Sequence, residues 1–378
     1  MFERKIRYAA LKAVAFVPVT AMLAFGPALA ADAPKTLEAL IAGAKKEKVL
    51  RAMWSSSSLS GGKGFRHVVK QMNKKYGLNL EGKFTPGPSM TRMIAKITRE
   101  VKAGQPSSTD VMWNNSGGAL KGGKIGILRK MNWLAYLDRQ PLKWEGFDPV
   151  APGGVALGSA GSLVGIMYNS DLVKGDDIPK SFEDVFKPKF KGKIASTPYA
   201  AGMREFGMPD VMGGKAMTDF TKRLTNQISG LMRCGSVDRL TSGEFLMLVF
   251  SCGDQYVNRV LNSKSGEPIA YALMKEAVIS HTRYGMVPVN ARSPNAGALF
   301  VAYLHSKEGQ KWMWKKNGLD LPLYPESVMR KKLLAAKDAG AKVVMNSPQW
   351  LGSQGGYVKY RKSLQKILKQ KAKKKKKK

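Results

Sequence analysis

Two polar loops carry the side chains in this sequence that are best suited to binding a small molecule. The first loop, residues 55–58, is a run of four serines, and the second, residues 114–118, reads NNSGG. Hydroxyl and amide groups both donate and accept hydrogen bonds. Each loop follows a tryptophan whose ring can pack against a bound ligand and line one side of the cleft. The ligand-binding residues predicted from these loops are Trp54, Ser55, Ser56, Ser57, Trp113, Asn114, Asn115 and Ser116.

Signals for catalysis are weak. The sequence contains neither G-x-S-x-G nor H-E-x-x-H, and its three histidines, His67, His281 and His305, are far apart along the chain. Residues 118–124 (GALKGGK) approach a phosphate-binding loop, but Ile125 stands where a magnesium-binding Ser or Thr is needed. We therefore expect a protein that is not an enzyme and has no cofactor.

The two loops follow strands in a pattern that alternates strands with helices. Hydrophobic periodicity predicts, in order, helix 36–48, strand 49–54, helix 64–76, strand 78–84, a helix from Met90 to near Gly104, and strand 110–113. Connections this short favour parallel strands with right-handed crossovers. Ligands in such sheets bind beyond the carboxyl ends of the strands, where both loops would lie. The alternative is that the loops are plain turns and the two tryptophans point into the core.

The middle of the chain predicts a strand, a short helix and a second strand. Residues 163–168 form an apolar run in which Gly165 would let another backbone approach closely. Ser181 is a candidate N-cap for a short helix over 182–186, and Pro188 ends that helix. A new strand begins at Ile194, and a further helix is predicted over 219–232.

Several of these segments together resemble a known family. The matching segments are YN at 168–169, PKSFED at 179–184, KPKFKGKI at 187–194, KYGLNL at 75–80, GGKIGIL at 122–128 and SPNAGALFVAYLHSKEGQKWM at 293–313. They are similar to bacterial extracellular solute-binding proteins of the ferric-iron type, which serve ABC importers. The resemblance implies an α/β fold of the two-lobed, type II periplasmic-binding-protein class. Each lobe would be a mostly parallel sheet flanked by helices, with two crossover strands joining the lobes. The resemblance places the second crossover strand at 284–290 and a helix at 293–313.

The resemblance also implies a division of the chain and a role. We expect lobe 1 at 31–160 and 285–325, lobe 2 at 161–284 and 326–358, and a disordered basic tail at 359–378. The protein would be the periplasmic solute-binding component of an ABC importer. It would act as a monomer that closes two lobes around a small molecule and presents it to a permease in the inner membrane.

The ligand-binding residues of the second lobe follow from the same resemblance. In the family, the turn after the KGKI strand offers backbone N–H groups to an anion, and the matching residues are Tyr199, Ala200, Ala201 and Gly202. Arg204, one turn further on, would add a fork for a carboxylate or phosphonate; the alternative is that it decorates a surface helix. Asp254 would be the required residue if the ligand were instead a cation.

Iron does not fit the sequence, although the family suggests it. Iron-binding members use a His, a Glu and a tandem Tyr pair, and the aligned positions here are Ser57, Asn115 and Gly253–Asp254. Ferric iron requires anionic oxygen ligands, which neutral hydroxyl and amide groups do not supply. We therefore expect no metal, and a ligand that is an anionic or zwitterionic organic molecule.

The charge of the chain leaves other functions open. The net charge is +36, of which residues 1–30 contribute +3 and residues 359–378 contribute +12, so that residues 31–358 keep +21. A basic surface of this kind suits a secreted polyanion-binding protein. Aromatic residues do not interleave with the lysines, however, so we expect no specific nucleic-acid partner. A periplasmic sensor subunit for the same ligand is a further alternative.

The N-terminal residues predict export to the periplasm. Arg4, Lys5, Arg7 and Lys12 precede an apolar stretch too short to span a bilayer, and residues 28–30 (ALA) form a cleavage site. Residues 1–30 are therefore predicted to be a cleaved signal peptide. In an oxidising compartment Cys234 and Cys252 can form a disulfide bond, and the alternative is two buried free thiols.

Overall fold

The chain forms three sheets flanked by helices in a computed structural model that describes residues 32–355 and 357–375. The strands are β1 (Val49–Trp54), β2 (Glu81–Pro86), β3 (Val111–Asn115), β4 (Leu157–Ala160), β5 (Leu163–Val164), β6 (Ile166–Asn169), β7 (Ile194–Ser196), β8 (Ile228–Leu231), β9 (Met247–Val249), β10 (Ile269–Ala272), β11 (Val278–His281), β12 (Arg283–Met286) and β13 (Val343–Asn346). The helices are α1 (Leu37–Lys46), α2 (Gly61–Tyr76), α3 (Met90–Lys102), α4 (Ser116–Lys124), α5 (Met203–Phe206), α6 (Gly214–Gln227), α7 (Asp238–Thr241), α8 (Gln255–Ser263), α9 (Pro294–His305), α10 (Lys307–Asn317), α11 (Val328–Asp338), α12 (Pro348–Ser353) and α13 (Tyr357–Lys375).

The first lobe is built on a sheet of strand order β2-β1-β3-β12-β4. Strand β1 pairs in parallel with both β2 and β3, which confirms the parallel arrangement predicted from the short connections. Strand β12 is antiparallel to β3 and to β4. The carboxyl ends of β1 and β3 therefore lie at one edge of this sheet, as the sequence predicted.

The second lobe is built on a sheet of order β10-β6-β9-β7-β8. Strand β7 pairs in parallel with β8 and β9, and β6 is antiparallel to β9 and β10. A third, small sheet of order β13-β11-β5 was not predicted. The fold is the predicted two-lobed α/β class, and the exact division of residues between the lobes stays a prediction.

Gly165 separates β5 from β6 for the reason that the sequence suggested. A Cβ atom on this residue would lie 2.2 Å from the backbone oxygen of Ala272 on the paired strand β10. Only glycine permits two backbones to approach so closely. This separation lets β5 join the third sheet while β6 continues into the second lobe.

Two predicted helices differ from the structure. The helix predicted over 219–232 is α6, which ends at Gln227, and β8 follows it at once. The helix predicted over 293–313 is divided into α9 and α10 at Ser306, whose hydroxyl accepts a hydrogen bond from the N–H of Gly309 at 3.1 Å. This serine caps a new helix, which the periodicity of the apolar residues did not reveal.

The prediction of a disordered tail over 359–378 is wrong for the described part of it. Residues up to Lys375 continue helix α13, and Leu364 and Leu368 are 0% and 1% exposed. These leucines lie four residues apart on one helix face and pack into the second lobe's core. Burial of that apolar face outweighs the repulsion among the lysines.

The region predicted to be a signal peptide, residues 1–30, lies outside the described residues. Among the residues that the structure does describe, no helix is both apolar enough and long enough to cross a bilayer.

Trp54 and Trp113 are core residues, so the prediction that their rings wall a cleft is wrong. Each is 1% exposed. Trp54 packs against Phe65 and Phe84, with ring centroids 5.6 and 5.5 Å apart. Both tryptophans belong to the apolar cluster of the first lobe. Their large apolar rings are stabilised more by burial than by partial contact with a mobile ligand.

We predict that Trp113→Ala costs about 3–5 kcal/mol of unfolding free energy because it empties a ring-sized volume in the core. Denaturant unfolding followed by circular dichroism would measure this. Leu172→Ala, at a side chain that is 54% exposed, is the control and should cost little. A Trp113→Ala protein of normal stability that binds its ligand weakly would instead support the prediction that the Trp113 ring lines the ligand cleft.

Candidate functional site

The facing edges of the two lobes meet around Arg283, the first residue of β12. Its backbone pairs with Asn115 at the carboxyl end of β3, in the first lobe. Its side chain interacts electrostatically with Arg204, Glu205, Tyr199 and Tyr256 of the second lobe. One side chain therefore stands on the first lobe's sheet and reaches the segments that follow β7 and β9.

The Arg283 guanidinium is an unpaired cation in the part of the chain that the structure describes. The side chain is half-buried. Burial lowers the pKa of the guanidinium, and the neighbouring charge of Arg204 lowers it further. No carboxylate of the described residues lies within salt-bridge distance of it, although Glu205 and the two tyrosines favour its charge. A buried cation without an ion-pair partner is stabilised by an anion bound beside it.

Glu205 supplies the one carboxylate among these interacting groups, and it is fully buried. Its Oε1 atom accepts hydrogen bonds from Nε of Arg204 and, at 3.1 Å, from Nδ2 of Asn346. Nε2 of His281 lies 3.2 Å from the same oxygen. Burial raises the pKa of this carboxyl, but Arg204 and His281 outweigh it and lower the pKa to about 2. Glu205 is therefore ionised at neutral pH and neutralises Arg204 rather than Arg283.

Hydrogen bonds continue from Glu205 into the first lobe and the third sheet. The backbone oxygen of Asn346 accepts from the Ser116 hydroxyl at 2.6 Å. Nδ1 of His281 lies 3.2 Å from the backbone oxygen of Cys252. The network thus connects the start of α4, strands β13 and β11, and the segment after β9.

A disulfide bond between Cys234 and Cys252 holds two loops of the second lobe beside this network. The Cα atoms lie 5.8 Å apart. The N–H of Cys252 donates to Sγ of Cys234 at 3.0 Å, and the N–H of Cys234 donates to the Tyr199 hydroxyl, also at 3.0 Å. Tyr199 is therefore held in place by the disulfide loop, while its ring remains 38% exposed.

Two further residues, Tyr256 and Arg233, complete the group. Tyr256 is half-buried, and its hydroxyl interacts with the charges of Arg283 and Arg259. Arg233, next to the disulfide, is exposed, and its positive charge interacts favourably with the ionised form of the Tyr199 hydroxyl. The group thus contains three arginines, two tyrosine hydroxyls and one carboxylate, which gives the site a net positive charge.

A groove of about 560 Å³ adjoins Tyr256. Its walls come from α8, from the loop after the disulfide and from the end of α10. The lining residues are Gly235, Val237, Tyr256, Arg259, Val260, Asn262, Ser263, Glu267, Lys315 and Lys316. Since the lining carries three cationic side chains and one carboxylate, this groove is also electropositive.

The predicted residues of the first lobe divide into exposed and structural ones. Ser55, Ser56 and Ser57 form an exposed loop, in which the hydroxyls of Ser55 and Ser57 lie 3.0 Å apart. Asn115 caps α4 by accepting a hydrogen bond from the N–H of Gly118 at 3.0 Å. Their ligand-binding role stays a prediction.

Asn114 and Ser116 are buried, which corrects the prediction that they reach a ligand. Nδ2 of Asn114 donates to the backbone oxygen of Met90 at 3.1 Å, and the Ser116 hydroxyl is bonded to Asn346 as described above. Both side chains are 1% exposed. They hold the start of α3 and the third sheet in place.

Two of the backbone amides predicted to bind an anion already have partners. The N–H of Ala200 donates to the backbone oxygen of Thr197 at 3.3 Å, and that of Ala201 donates to the Thr197 hydroxyl at 2.9 Å. Of the three predicted amides, Gly202 alone stays a candidate. Arg204 is 8% exposed and bonded to Glu205, so the alternative of a surface decoration is wrong.

Asp254 has a structural role that leaves it unsuited to a ligand cation. It is 4% exposed, and its carboxylate accepts hydrogen bonds from the N–H of Leu163 and from Nζ of Lys332, both at 2.9 Å. The carboxylate ties β5 to the start of α8 and to α11. The prediction that Asp254 lines the ligand site is therefore corrected.

Arg283, Glu205, His281, Tyr256 and Arg233 were missed by the sequence analysis. Arg283 immediately precedes the second crossover strand predicted at 284–290. A cationic residue at the start of a strand that joins the lobes was a sequence signal that could have identified it as a site residue. Glu205 directly follows the predicted Arg204. The other three come together only through the fold.

Two lobes that face each other across a polar, charged region define a class of protein that binds solutes between domains. A family model described as "Bacterial extracellular solute-binding protein" matches residues 67–341. The chain belongs to this family.

Solved structures share the fold at low sequence identity. A substrate-binding protein of an ABC transporter from Agrobacterium tumefaciens has a TM-score of 0.65 and 14% identity, covering 87% of this chain and 96% of that one. Iron-bound HitA from Pseudomonas aeruginosa gives 0.61 and 16%, covering 84% and 99%. AfuA from Actinobacillus pleuropneumoniae, with fructose-6-phosphate bound, gives 0.57 and 20%, covering 72% and 83%. No curated protein sequence matches this chain.

We predict that Glu205 makes the stability of the protein depend on acid. Its pKa is about 2 in the folded protein and about 4.5 when unperturbed. The contribution of the carboxylate is therefore complete above pH 4.5 and is lost as the pH falls toward 2, by up to about 3 kcal/mol. In Glu205→Gln this part of the pH dependence should be absent, and the two curves of unfolding free energy should converge as the pH falls.

Urea unfolding at a series of pH values between 2 and 7 would measure both curves. Parallel curves for the native and Glu205→Gln proteins would contradict the assignment of Glu205 as a low-pKa buried anion.

Proposed function

We propose that this protein is the periplasmic solute-binding component of an ABC importer and that its ligand is a small organic anion or zwitterion held between the lobes. Membership of the family supports the solute-binding role. The observation that carries the ligand class is the half-buried Arg283 guanidinium, which has no ion-pair partner among the described residues. A carboxylate, phosphate or phosphonate group would satisfy it with two charge-assisted hydrogen bonds.

The rest of the site is suited to the same ligand class. Arg204 and Glu205 neutralise each other, so the positive charge of Arg283 and Arg233 is left for the ligand. Tyr199 and Tyr256 add two hydroxyl groups that can hydrogen-bond and two aromatic rings that offer apolar surface. Such groups suit the carbon skeleton of an organic ligand that carries the anionic group. Ser55, Ser56, Ser57, Asn115 and Gly202 are the remaining candidate contacts.

A polyamine ligand is disfavoured by the same charges. Asp254 is already bound to Lys332, and Glu205 to Arg204. A cationic ligand would also have to approach Arg283 and Arg233, and among the described residues that interact with Arg283 no unpaired carboxylate offsets their repulsion.

Closure of the lobes would bring Arg283 against the ligand. Arg283 stands on the first lobe's sheet, whereas its neighbours Tyr199, Arg204 and Tyr256 stand on the second lobe. An anion between them contacts both lobes only when the cleft is closed, so binding shifts the equilibrium toward the closed state. The strands β5–β6 and β12 would serve as the hinge.

Export and partners complete the proposal. Residues 1–30 have the composition of a cleaved signal peptide, and family membership implies an extracellular or periplasmic location. The closed monomer would present its ligand to a permease in the inner membrane. Genes for a permease and an ATPase beside this one would favour transport over a sensory role.

We predict that organic anions raise the melting temperature and that Arg283→Gln weakens their binding about 10- to 100-fold, because a charge-assisted contact is lost. A thermal-shift screen of sugar phosphates, phosphonates, carboxylates and amino acids would identify a ligand, and calorimetry would measure its affinity. Arg99→Gln, at an exposed arginine near the end of α3, is the matched control and should bind normally. Stabilisation by polyamines alone would refute the anion assignment and leave the solute-binding role intact.

We also predict that ferric iron, added with carbonate or phosphate, produces no strong visible charge-transfer band. The aligned positions Ser57, Asn115 and Gly253–Asp254 do not supply the anionic ligands that iron requires. The described residues contain no group of three or more His, Cys, Asp or Glu side chains that could hold a metal. An intense band that saturates at one equivalent of iron would overturn the argument.

A further inference from the structure

Helix α13 presents a row of lysines on the face opposite to the one that it buries. Leu364 and Leu368 are 0% and 1% exposed in the second lobe's core. Lys362, Lys366 and Lys369 are exposed. Their spacing of four and three residues places them on one side of a helix with 3.6 residues per turn, about half a turn from the leucines. We call these three residues the lysine row.

The lysine row continues into the most basic segment of the sequence. Residues 359–378 contain twelve basic residues and no acidic residue, and seven of these lysines follow Gln370. Neither the solute site nor the folding of the lobes explains this charge, because the packing of α13 depends on its leucines and on Tyr360. Like charges at this density cost folding free energy through repulsion, so a partner that offsets them is expected.

The helix is firmly attached to the body of the protein. The Tyr360 hydroxyl donates to the backbone oxygen of Gly214 at 3.2 Å, and its ring fills the space beside Gly207. Nε2 of Gln365 donates to the backbone oxygen of Tyr199 at 3.0 Å. The lysine row is therefore part of the folded surface, held at a defined position on the second lobe.

We propose that the lysine row binds the surface of an anionic phospholipid bilayer and holds this solute-binding protein at the membrane. Clusters of basic residues bind anionic leaflets by charge, and each lysine near the surface contributes independently of sequence. Because Leu364 and Leu368 are buried in the protein, the helix has no apolar face to insert between lipids, unlike an interfacial amphipathic helix. Binding would therefore be electrostatic, peripheral and reversible by salt.

A bilayer fits the lysine row better than a nucleic acid does. Proteins that bind single strands without sequence preference interleave cations with exposed aromatic rings on which bases stack. Tyr360, the only aromatic residue in 359–378, is packed against the second lobe. A straight row of cations on one helix face instead matches a flat surface with dispersed negative charge.

The proposal can be tested with protein purified from the periplasm and vesicles of defined composition. At low salt we expect binding to vesicles containing phosphatidylglycerol, no binding to pure phosphatidylcholine vesicles, and release at 0.5 M salt, where charges are screened within a few ångströms (roughly 3 Å at 1 M). The triple variant Lys362→Gln, Lys366→Gln, Lys369→Gln should bind about 100-fold more weakly. A second variant that ends at Gln370 lacks the seven lysines that follow the row. Its vesicle affinity, compared with that of the triple variant, separates the contribution of those lysines from the contribution of the row.

The chain offers a matched control on the other lobe. Lys63, Lys70 and Lys74 on α2 are exposed and share one helix face, so their replacement by Gln removes the same charge at a comparable spacing. This control should keep its vesicle affinity within about threefold, and solute binding should be unchanged in every variant. Equal loss in the control would show that net charge alone is responsible and would overturn the proposal.

Three other results would also overturn it: binding to neutral vesicles, binding that salt does not reverse, or a clear preference for oligonucleotides over anionic vesicles at equal charge concentration. The last result would identify a nucleic acid as the partner of the lysine row.

Discussion

The buried carboxylate of Glu205 is the constraint on which the site depends. A carboxylate removed from water must be paired, and removal of one partner from a buried pair costs about 3–5 kcal/mol. Its partners Arg204, His281 and Asn346 come from α5, β11 and β13. Satisfying this one charge therefore fixes three chain segments relative to one another. Because the backbone oxygen of Asn346 also accepts a hydrogen bond from Ser116 of the first lobe, the same network connects the first lobe to the third sheet and to α5.

The sequence predicted the first lobe's sheet well because short-range patterns determine it. Alternating helices and strands with short connections force parallel strands, and the bounds of β1 were predicted to the residue. The third sheet was missed because β13 lies in the last sixty residues, which carry no recognised motif, and because β5 is only two residues long. Pairing between positions 65 or more residues apart leaves no local periodicity to detect.

The candidate site was predicted less well, for a reason visible at Trp113, Asn114 and Asn115. Successive strand residues point to opposite faces, so a loop position identifies an edge of the sheet but not which side chain reaches the solvent there. In the structure Trp113 and Asn114 are buried and Asn115 is partly exposed. Likewise, the resemblance predicted a turn at 199–202, but Thr197 accepts hydrogen bonds from two of its amides, and no pattern in the sequence identifies that competing acceptor.

Arg283 shows why charge balance across the fold is a better guide to the ligand than loop composition. Glu205, the one carboxylate among the groups that interact with Arg283, is committed to Arg204, and the carboxylate of Asp254, two residues before Tyr256, is committed to Lys332. The Arg283 charge is left over, and it stands on a strand of the first lobe while facing residues of the second. A ligand anion is the group that balances this charge, and it does so only when the lobes are together. The same residue that selects an anion therefore also couples its binding to closure of the cleft.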